Sequence, residues 1–334
     1  VRRAWLGVAA VLAGAAGLGA WSVAPAGRGD PVVVQVPPGA DAARVAEVLY
    51  RHGLLRSRLA FRLWARGWGL EDRLQAGEYR FSPSEGVVDI LRRLAAGDVV
   101  HHRVTFPEGF SARQVAERLD RLGLVDAEEF LREVGRADRH WIPQMHGNTT
   151  GSVEGYLFPD TYSFPRGLPA ERAVAAMVAR FRDVTGPLWD LPRPLGLSPH
   201  EVVTVASLVE REARHDFERA RIAGVLYNRL RRGMPLQVDA TVLYALGRHK
   251  ERVLYRDLEV DSPYNTYRTA GLPPGPIANP GLASLQAALQ PEAHDYLYYV
   301  ARPDGTHVFS RTLAEHERAR RSLRLQERVP GRPP

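Results

Sequence analysis

Two glutamates one residue apart, in Glu210-Arg211-Glu212, close a segment whose start carries a helix cap. Ser198-Pro199-His200-Glu201 has the form of a capping box with proline at the first helical position, which predicts a helix over 199–214. Val202, Val205, Ala206, Val209 and Ala213 form one apolar stripe along it, and Glu210 and Glu212 fall on opposite shoulders of that stripe. A carboxyl group at such a shoulder is partly withdrawn from water. That raises its pKa and keeps it protonated near neutrality, as a general acid requires. Two solvated surface glutamates would show the same spacing, so periodicity does not choose between Glu210 and Glu212.

The polar residues that follow suit a carbohydrate. Asn228, Gln237, Asp239, Thr241, Tyr244, Tyr264, Asn265 and Tyr267 offer hydrogen-bonding groups for hydroxyls and acetamides and flat rings for sugar faces. Core tyrosines with satisfied hydroxyls are the plain alternative. Other chemistries lack their motifs. There is no Gly-x-Ser-x-Gly elbow and no phosphate-binding Gly-Lys-Ser/Thr loop. His200-Glu201 opens like a zinc-protease helix, but Thr204 stands where the second histidine would be. The chain has no cysteine, and His101, His102, His294, His307 and His316 lack helical pairing, so neither a metal nor any other cofactor is expected. The net charge of +7 comes almost wholly from scattered arginines, Lys250 being the one lysine, and no nucleic-acid-binding signature accompanies it.

These residues need elements to hold them. Helices are predicted over 170–184, 199–214, 218–232 and 281–289, and strands near 296–301 and 306–309, a mixed α+β segment. Before it lies a partial repeat. Val36-Pro37-Pro38-Gly39-Ala40-Asp41 with its helix returns about 70 positions on as Phe106-Pro107-Glu108-Gly109-Phe110-Ser111, and each copy ends on Gly-Leu, at Gly53 and Gly123. Each copy reads as strand (32–36, 104–106), Pro-Gly turn and helix capped by Asp41 or Ser111. A further strand (76–81) and short helix (86–94) follow the first copy. Such a unit is similar to a LysM-like glycan-binding module, or serves only as a spacer.

Arg2 and Arg3 precede an uncharged run from Ala4 to Gly27, with Trp5 and Trp21 near its ends. That length suits one bilayer crossing of about 20 residues, with the basic end inside and the remainder exported. Ala24-Pro25-Ala26 leaves a cleaved signal peptide as the alternative. The expected organisation is therefore 1–30 stub, transmembrane anchor and linker; 31–100 LysM-like module; 101–150 second repeat-like connecting subdomain; 151–328 catalytic domain; 329–334 disordered tail.

Several segments together resemble one family. They are Glu154-Gly155-Tyr156-Leu157-Phe158-Pro159-Asp160, Ala206-Ser207-Leu208-Val209-Glu210-Arg211-Glu212, Leu226-Tyr227-Asn228-Arg229-Leu230, Leu236-Gln237-Val238-Asp239-Ala240-Thr241, Pro263-Tyr264-Asn265-Thr266-Tyr267 and Gly271-Leu272-Pro273-Pro274-Gly275-Pro276-Ile277-Ala278-Asn279-Pro280-Gly281. The chain resembles the endolytic murein transglycosylase, or YceG-like, family over nearly its whole length. The resemblance implies a lyase that cuts peptidoglycan glycan strands and leaves 1,6-anhydro-N-acetylmuramic ends, from a bacterial inner membrane and beside the glycan-polymerising synthases. It implies Glu210 as the acid and Glu212 as a supporting residue, with Arg211 where the family commonly has lysine. Glu154 or Asp239 would serve as second carboxylate if the enzyme were instead a hydrolase, and a wall-binding scaffold without activity is the reading from another class.

Overall fold

The computed structural model describes residue 17, residues 21–247 and residues 253–327. Most of the expected anchor, residues 4–27, and the tail 329–334 lie outside the described residues. Among the described residues no helix is long and apolar enough to cross a membrane. The chain forms two compact units, one of residues up to Val104 with Ser163–Leu168, the other of Thr105–Tyr162 and the chain from Pro169 onward.

The first unit runs β1 (Val32–Val36), α1 (Ala42–Arg51), α2 (Arg58–Gly67), β2 (Gly77–Phe81), α3 (Val87–Ala96) and β3 (His101–Thr105), whose last residue already belongs to the second unit. β1 and β2 pair antiparallel with Val34 opposite Tyr79 and Val36 opposite Gly77. Side chains alternate across a strand, so Val34, Val36, Tyr79 and Phe81 all enter one core. Val45, Ala46 and Leu49 of α1 and Ile90, Leu91 and Leu94 of α3 close it. Asp41 caps α1 by accepting from the Arg44 N–H at 2.7 Å, as its position in the repeat predicts. Ser57 caps α2 in the same way, through the Ala60 N–H. α2 was not foreseen from the sequence, because Leu59 and Leu63 face outward and blur the apolar period. Gly77 sits at φ +147° where a Cβ would come within 2.5 Å of Val99, so only glycine fits.

In the second unit come α4 (Ala112–Arg121), α5 (Ala127–Val134), β4 (Thr161–Pro165), α6 (Ala170–Thr185), α7 (Pro199–Glu212), α8 (Arg219–Arg231), α9 (Asp239–Leu246), α10 (Leu282–Leu289), β5 (Tyr298–Ala301), β6 (His307–Ser310) and α11 (Leu313–Glu327). β4 is hydrogen-bonded to β3, and its last residues belong to the first unit. β5 and β6 pair antiparallel, Tyr299 opposite Phe309. The second copy of the repeat, residues 106–124, lies wholly in this unit, with Ser111 and Gln114 making a reciprocal capping box on α4.

α7 is the centre. The expected capping box of Ser198 and Glu201 is present. The helix is not amphipathic, however: Val202 to Val209 are buried without interruption, because α8 and α10 cover flanks that the sequence pattern left to solvent. α8 in turn meets the 292–294 segment at Gly224, where a Cβ would fall 2.5 Å from the Glu292 carbonyl oxygen. Backbone is less able to move aside than a flexible side chain. Gly224→Ala is therefore expected to destabilise the chain by about 1–3 kcal/mol despite alanine's better helix propensity, measurable as a lower urea midpoint.

Candidate active site

The last turn of α7 places Glu210 and Glu212 in different surroundings. Glu210 is committed to the protein. Its Oε1 lies 3.2 Å from the guanidinium of Arg219 on α8, and its Oε2 accepts the Gly281 N–H, at the start of α10, at 3.0 Å. The Glu210 and Arg219 side chains are 6% and 10% exposed, so this is a buried ion pair. Arg219 also donates to Asp216 and to the Ser284 hydroxyl. Glu108 stands 4.0 Å from the Arg219 guanidinium, its carboxyl pushed upward by burial and by the Glu210 charge. Both Glu210 oxygens thus meet donors of the fold itself, joining α7, α8 and α10.

Glu212 instead lines a pocket of about 420 Å³. Asp239, Gln237, Tyr267, Tyr299 and Arg229 share its wall, with His316 and Arg320 contributed by α11. The Tyr299 hydroxyl donates to Glu212 Oε2 at 3.0 Å. Desolvation pushes the Glu212 carboxyl up to about 7, and the nearby Asp239 charge adds to the rise; the Tyr299 hydrogen bond and Arg211 oppose it. Asp239 accepts the Tyr267 hydroxyl and so keeps a fixed place beside the pocket. Gln237 adopts φ +51°, a left-handed conformation that costs a non-glycine residue about 1–2 kcal/mol. The Gln237 N–H to the Thr266 carbonyl and the Val238 N–H to the Thr266 hydroxyl hold that turn.

Arg229 reaches the same wall from α8 as a buried cation with backbone partners. It donates to the carbonyls of Leu297, Pro235 and Leu236, and lies over the Tyr298 ring, 5.1 Å from its centroid. Burial pulls its pKa down from the usual arginine value. It therefore binds the 235–238 turn, β5 and the pocket into one rigid wall.

The other sequence candidates sort into two groups. Glu154, Tyr244 and Tyr264 cluster away from this pocket. Burial pushes the Glu154 carboxyl up to about 7, although it accepts the Ala112 N–H at the start of α4 on both oxygens, at 3.0 Å each, and the Asn279 amide at 3.2 Å. Tyr244 packs against Tyr264, with ring centroids 4.9 Å apart and ring planes tilted by 49°. The second group holds loops. Asn228 donates to the carbonyls of His294 and Tyr296; Thr241 bonds Val238 and Thr266; Asn265 donates to Leu258 and Val260. Asn279, in the Pro-Gly-rich segment, uses both ends of its amide: Gly155 and Leu157 N–H on Oδ1, Phe110 carbonyl and Glu154 on Nδ2.

Of the residues that line this pocket, sequence reasoning singles out Glu212, Gln237, Asp239 and Tyr267, and does not single out Tyr299, Arg229, His316 and Arg320 as sugar-site candidates. Arg229 was adjacent to a chosen residue, Asn228. Tyr299 carried a weak signal, an aromatic pair in a short strand. His316 was set aside with the unpaired histidines, and Arg320 is one of many scattered arginines.

A larger cavity of about 640 Å³ lies at the other end of α7, beside His200 and Pro273-Pro274. Both His200 ring nitrogens are engaged there, one with the Tyr156 hydroxyl at 2.8 Å and one with the Pro274 carbonyl at 3.2 Å.

The chain matches the family described as YceG-like over residues 34–322. A Bacillus subtilis (strain 168) protein named endolytic murein transglycosylase is 36% identical over 302 residues, spanning 86% of this chain and 84% of that protein. A Streptococcus pneumoniae (serotype 2, strain D39) protein of the same name is 31% identical over 318 residues, and the match spans 57% of that longer protein. The 2.6 Å crystal structure of a yceG-like protein from Listeria monocytogenes aligns with a TM-score of 0.60 at 32% identity, covering 88% of this chain and 100% of that one.

Proposed function

The chain belongs to the YceG-like family, and from that premise we propose that it is an endolytic peptidoglycan lytic transglycosylase whose general acid is Glu212 rather than Glu210. One observation carries the choice of acid. Glu212 is the desolvated carboxyl, raised to about 7, that opens onto a polar pocket, whereas Glu210 is spent on Arg219 and Gly281.

Protonated Glu212 donates to the glycosidic oxygen that leaves N-acetylmuramic acid. The carboxylate so formed accepts the proton of that sugar's C6 hydroxyl as its oxygen attacks the anomeric carbon. The old C–O bond breaks, the 1,6-anhydro ring closes, and no water is consumed. Asp239 raises the affinity of Glu212 for its proton and, held by Tyr267, offers an acceptor to sugar hydroxyls. Tyr299 positions the acid.

The same pocket gives the hydrolase alternative its form, because Asp239 is a second carboxylate beside Glu212. Mass spectrometry of glycan ends after digestion of purified peptidoglycan separates the two. Muramic ends lighter by one water establish ring closure; ordinary reducing ends make water the nucleophile and Asp239 its base.

The acid role also fixes a pH dependence. Glu212 must be protonated to act, so cleavage falls as pH rises through about 7. Asp239→Asn removes a charge that raises the Glu212 pKa, and should move this alkaline limb to lower pH. Tyr299→Phe removes a bond that lowers it, and should move the limb to higher pH. Profiles of initial rate against pH check both signs; two shifts in the same direction would remove Glu212 as the titrating group.

The chain works outside the cytoplasm, single-pass in the inner membrane through residues 4–27, on nascent strands beside the synthases that make them. The β1-α1-α2-β2 order within the first unit, with β1 and β2 paired antiparallel, supports a LysM-like reading for residues 31–100.

A further inference from the structure

α2 buries Phe61 and Ala65 and turns Arg58, Leu59, Arg62, Leu63 and Arg66 outward. Leu59 and Leu63, one turn apart, are 62% and 61% exposed. Arg62 and Arg66 have no carboxylate partner among the described residues, while Arg58 pairs with Glu47. Trp68, 40% exposed, extends the face past the helix end and meets the half-buried Trp64 edge to face at 5.6 Å. Exposed leucines framed by arginines and ended by tryptophan make the composition of a helix that lies in a lipid interface.

The start of the chain is seated on this same helix. Trp64 Nε1 donates to the Ser22 hydroxyl at 3.1 Å. Arg56, two residues before α2, lies over the Trp21 ring at 5.6 Å and donates to the Pro25 carbonyl at 2.7 Å. Immediately before Trp21 the sequence is uncharged from Ala4 to Ala20. The residues that leave the apolar run are therefore fastened to the element that carries the exposed leucines.

We propose that α2 is a bilayer-contact surface, with Leu59 and Leu63 in the boundary between headgroups and acyl chains and Arg62 and Arg66 on the phosphates of anionic phospholipid. The proposal rests on the reading of residues 4–27 as a membrane anchor. The anchor then holds the first unit in one orientation rather than as a tethered body, because a second contact removes rotation about the span. Arginines within a Debye length of an anionic surface add attraction that salt weakens.

The absence of cysteine allows a single reporter in the whole chain. Leu63→Cys carries an environment-sensitive nitrobenzoxadiazole label, and the chain is reconstituted into phosphatidylcholine–phosphatidylglycerol vesicles with or without acyl-chain bromine. Arg80→Cys, exposed on the strand of the β1–β2 sheet opposite Val33, is the control, and Leu59→Cys repeats the measurement so that a misfolded variant does not decide it. The expected result is quenching of about half the emission at positions 63 and 59, little at position 80, and about two-fold less quenching when Arg62→Glu and Arg66→Glu are added. Vesicles that float with the chain while position 63 is quenched no more than position 80 overturn the proposal and leave the anchor standing. So does a label shielded by added glycan fragments instead of lipid. A chain that fails to float with vesicles overturns the anchor and this contact together.

Discussion

Glu212→Gln lowers the rate of glycan cleavage by about 10²–10⁴-fold, the usual worth of a positioned general acid, without loss of fold. The amide has nearly the same shape and its carbonyl still accepts the Tyr299 hydroxyl, so the packing around it is kept. The effect on stability has the opposite sign to that of most buried substitutions. The folded carboxyl titrates near 7 against an ordinary value of 4.5. Between those values the folded state binds the proton more tightly than the unfolded state, so stability falls as pH rises through that window, and the whole penalty stands above about 7. Glutamine carries no such penalty. Thermal unfolding at pH 8 should therefore show the variant at least as stable as its parent, and at pH 4 the two should agree. Initial rates on purified glycan strands, beside those two melting curves, make the measurement. Undiminished cleavage would remove Glu212 from the chemistry.

The features legible in the sequence are those whose causes are local. Asp41, Ser111 and Ser198 announced their helices because a cap is a contact across three residues. α9 escaped notice for the matching reason. It has no side-chain cap, follows the strained Gln237, and its apolar residues form no single stripe. The surroundings of α7 were not local either. Its flanks are covered by α8 and α10, which the stripe of Val202, Val205 and Val209 does not encode. The same gap explains why two glutamates could not be told apart. One shoulder of α7 meets Arg219 and Gly281, the other meets Tyr299 and Asp239, and all four partners come from later in the chain. The family resemblance put Glu210 first; the partners favour Glu212. Polar residue types likewise say what could bond a sugar, yet Thr241, Asn228 and Asn265 share those types while holding turns and loops together. Composition identifies what can bond a hydroxyl, and only packing decides whether the hydroxyl belongs to the substrate or to the fold.

Glu210→Gln separates the two glutamates from the other side. The carboxylate faces two donors, the Arg219 guanidinium and the Gly281 N–H. An amide has one acceptor oxygen and one NH₂, so whichever way it turns, one of those contacts becomes donor against donor. The Arg219 charge is then left with Asp216, which is exposed, and the more distant Glu108. Removing one partner of a buried pair costs about 3–5 kcal/mol, because the remaining charge stays desolvated. The expected result is a urea midpoint lowered by that amount at unchanged slope, with cleavage per folded molecule at low temperature within about ten-fold of the parent. Glu210→Leu with Arg219→Met should recover part of the loss, since an apolar pair leaves no buried charge, and the double-mutant cycle reads their coupling. If Glu210→Gln abolished cleavage at an unchanged urea midpoint, the ion pair would be incidental and Glu210 would be the acid. Substitutions at 210 and 212 are thus expected to carry opposite signatures on one helix turn: the change at 212 removes chemistry and keeps the fold, and the change at 210 weakens the fold and keeps the chemistry.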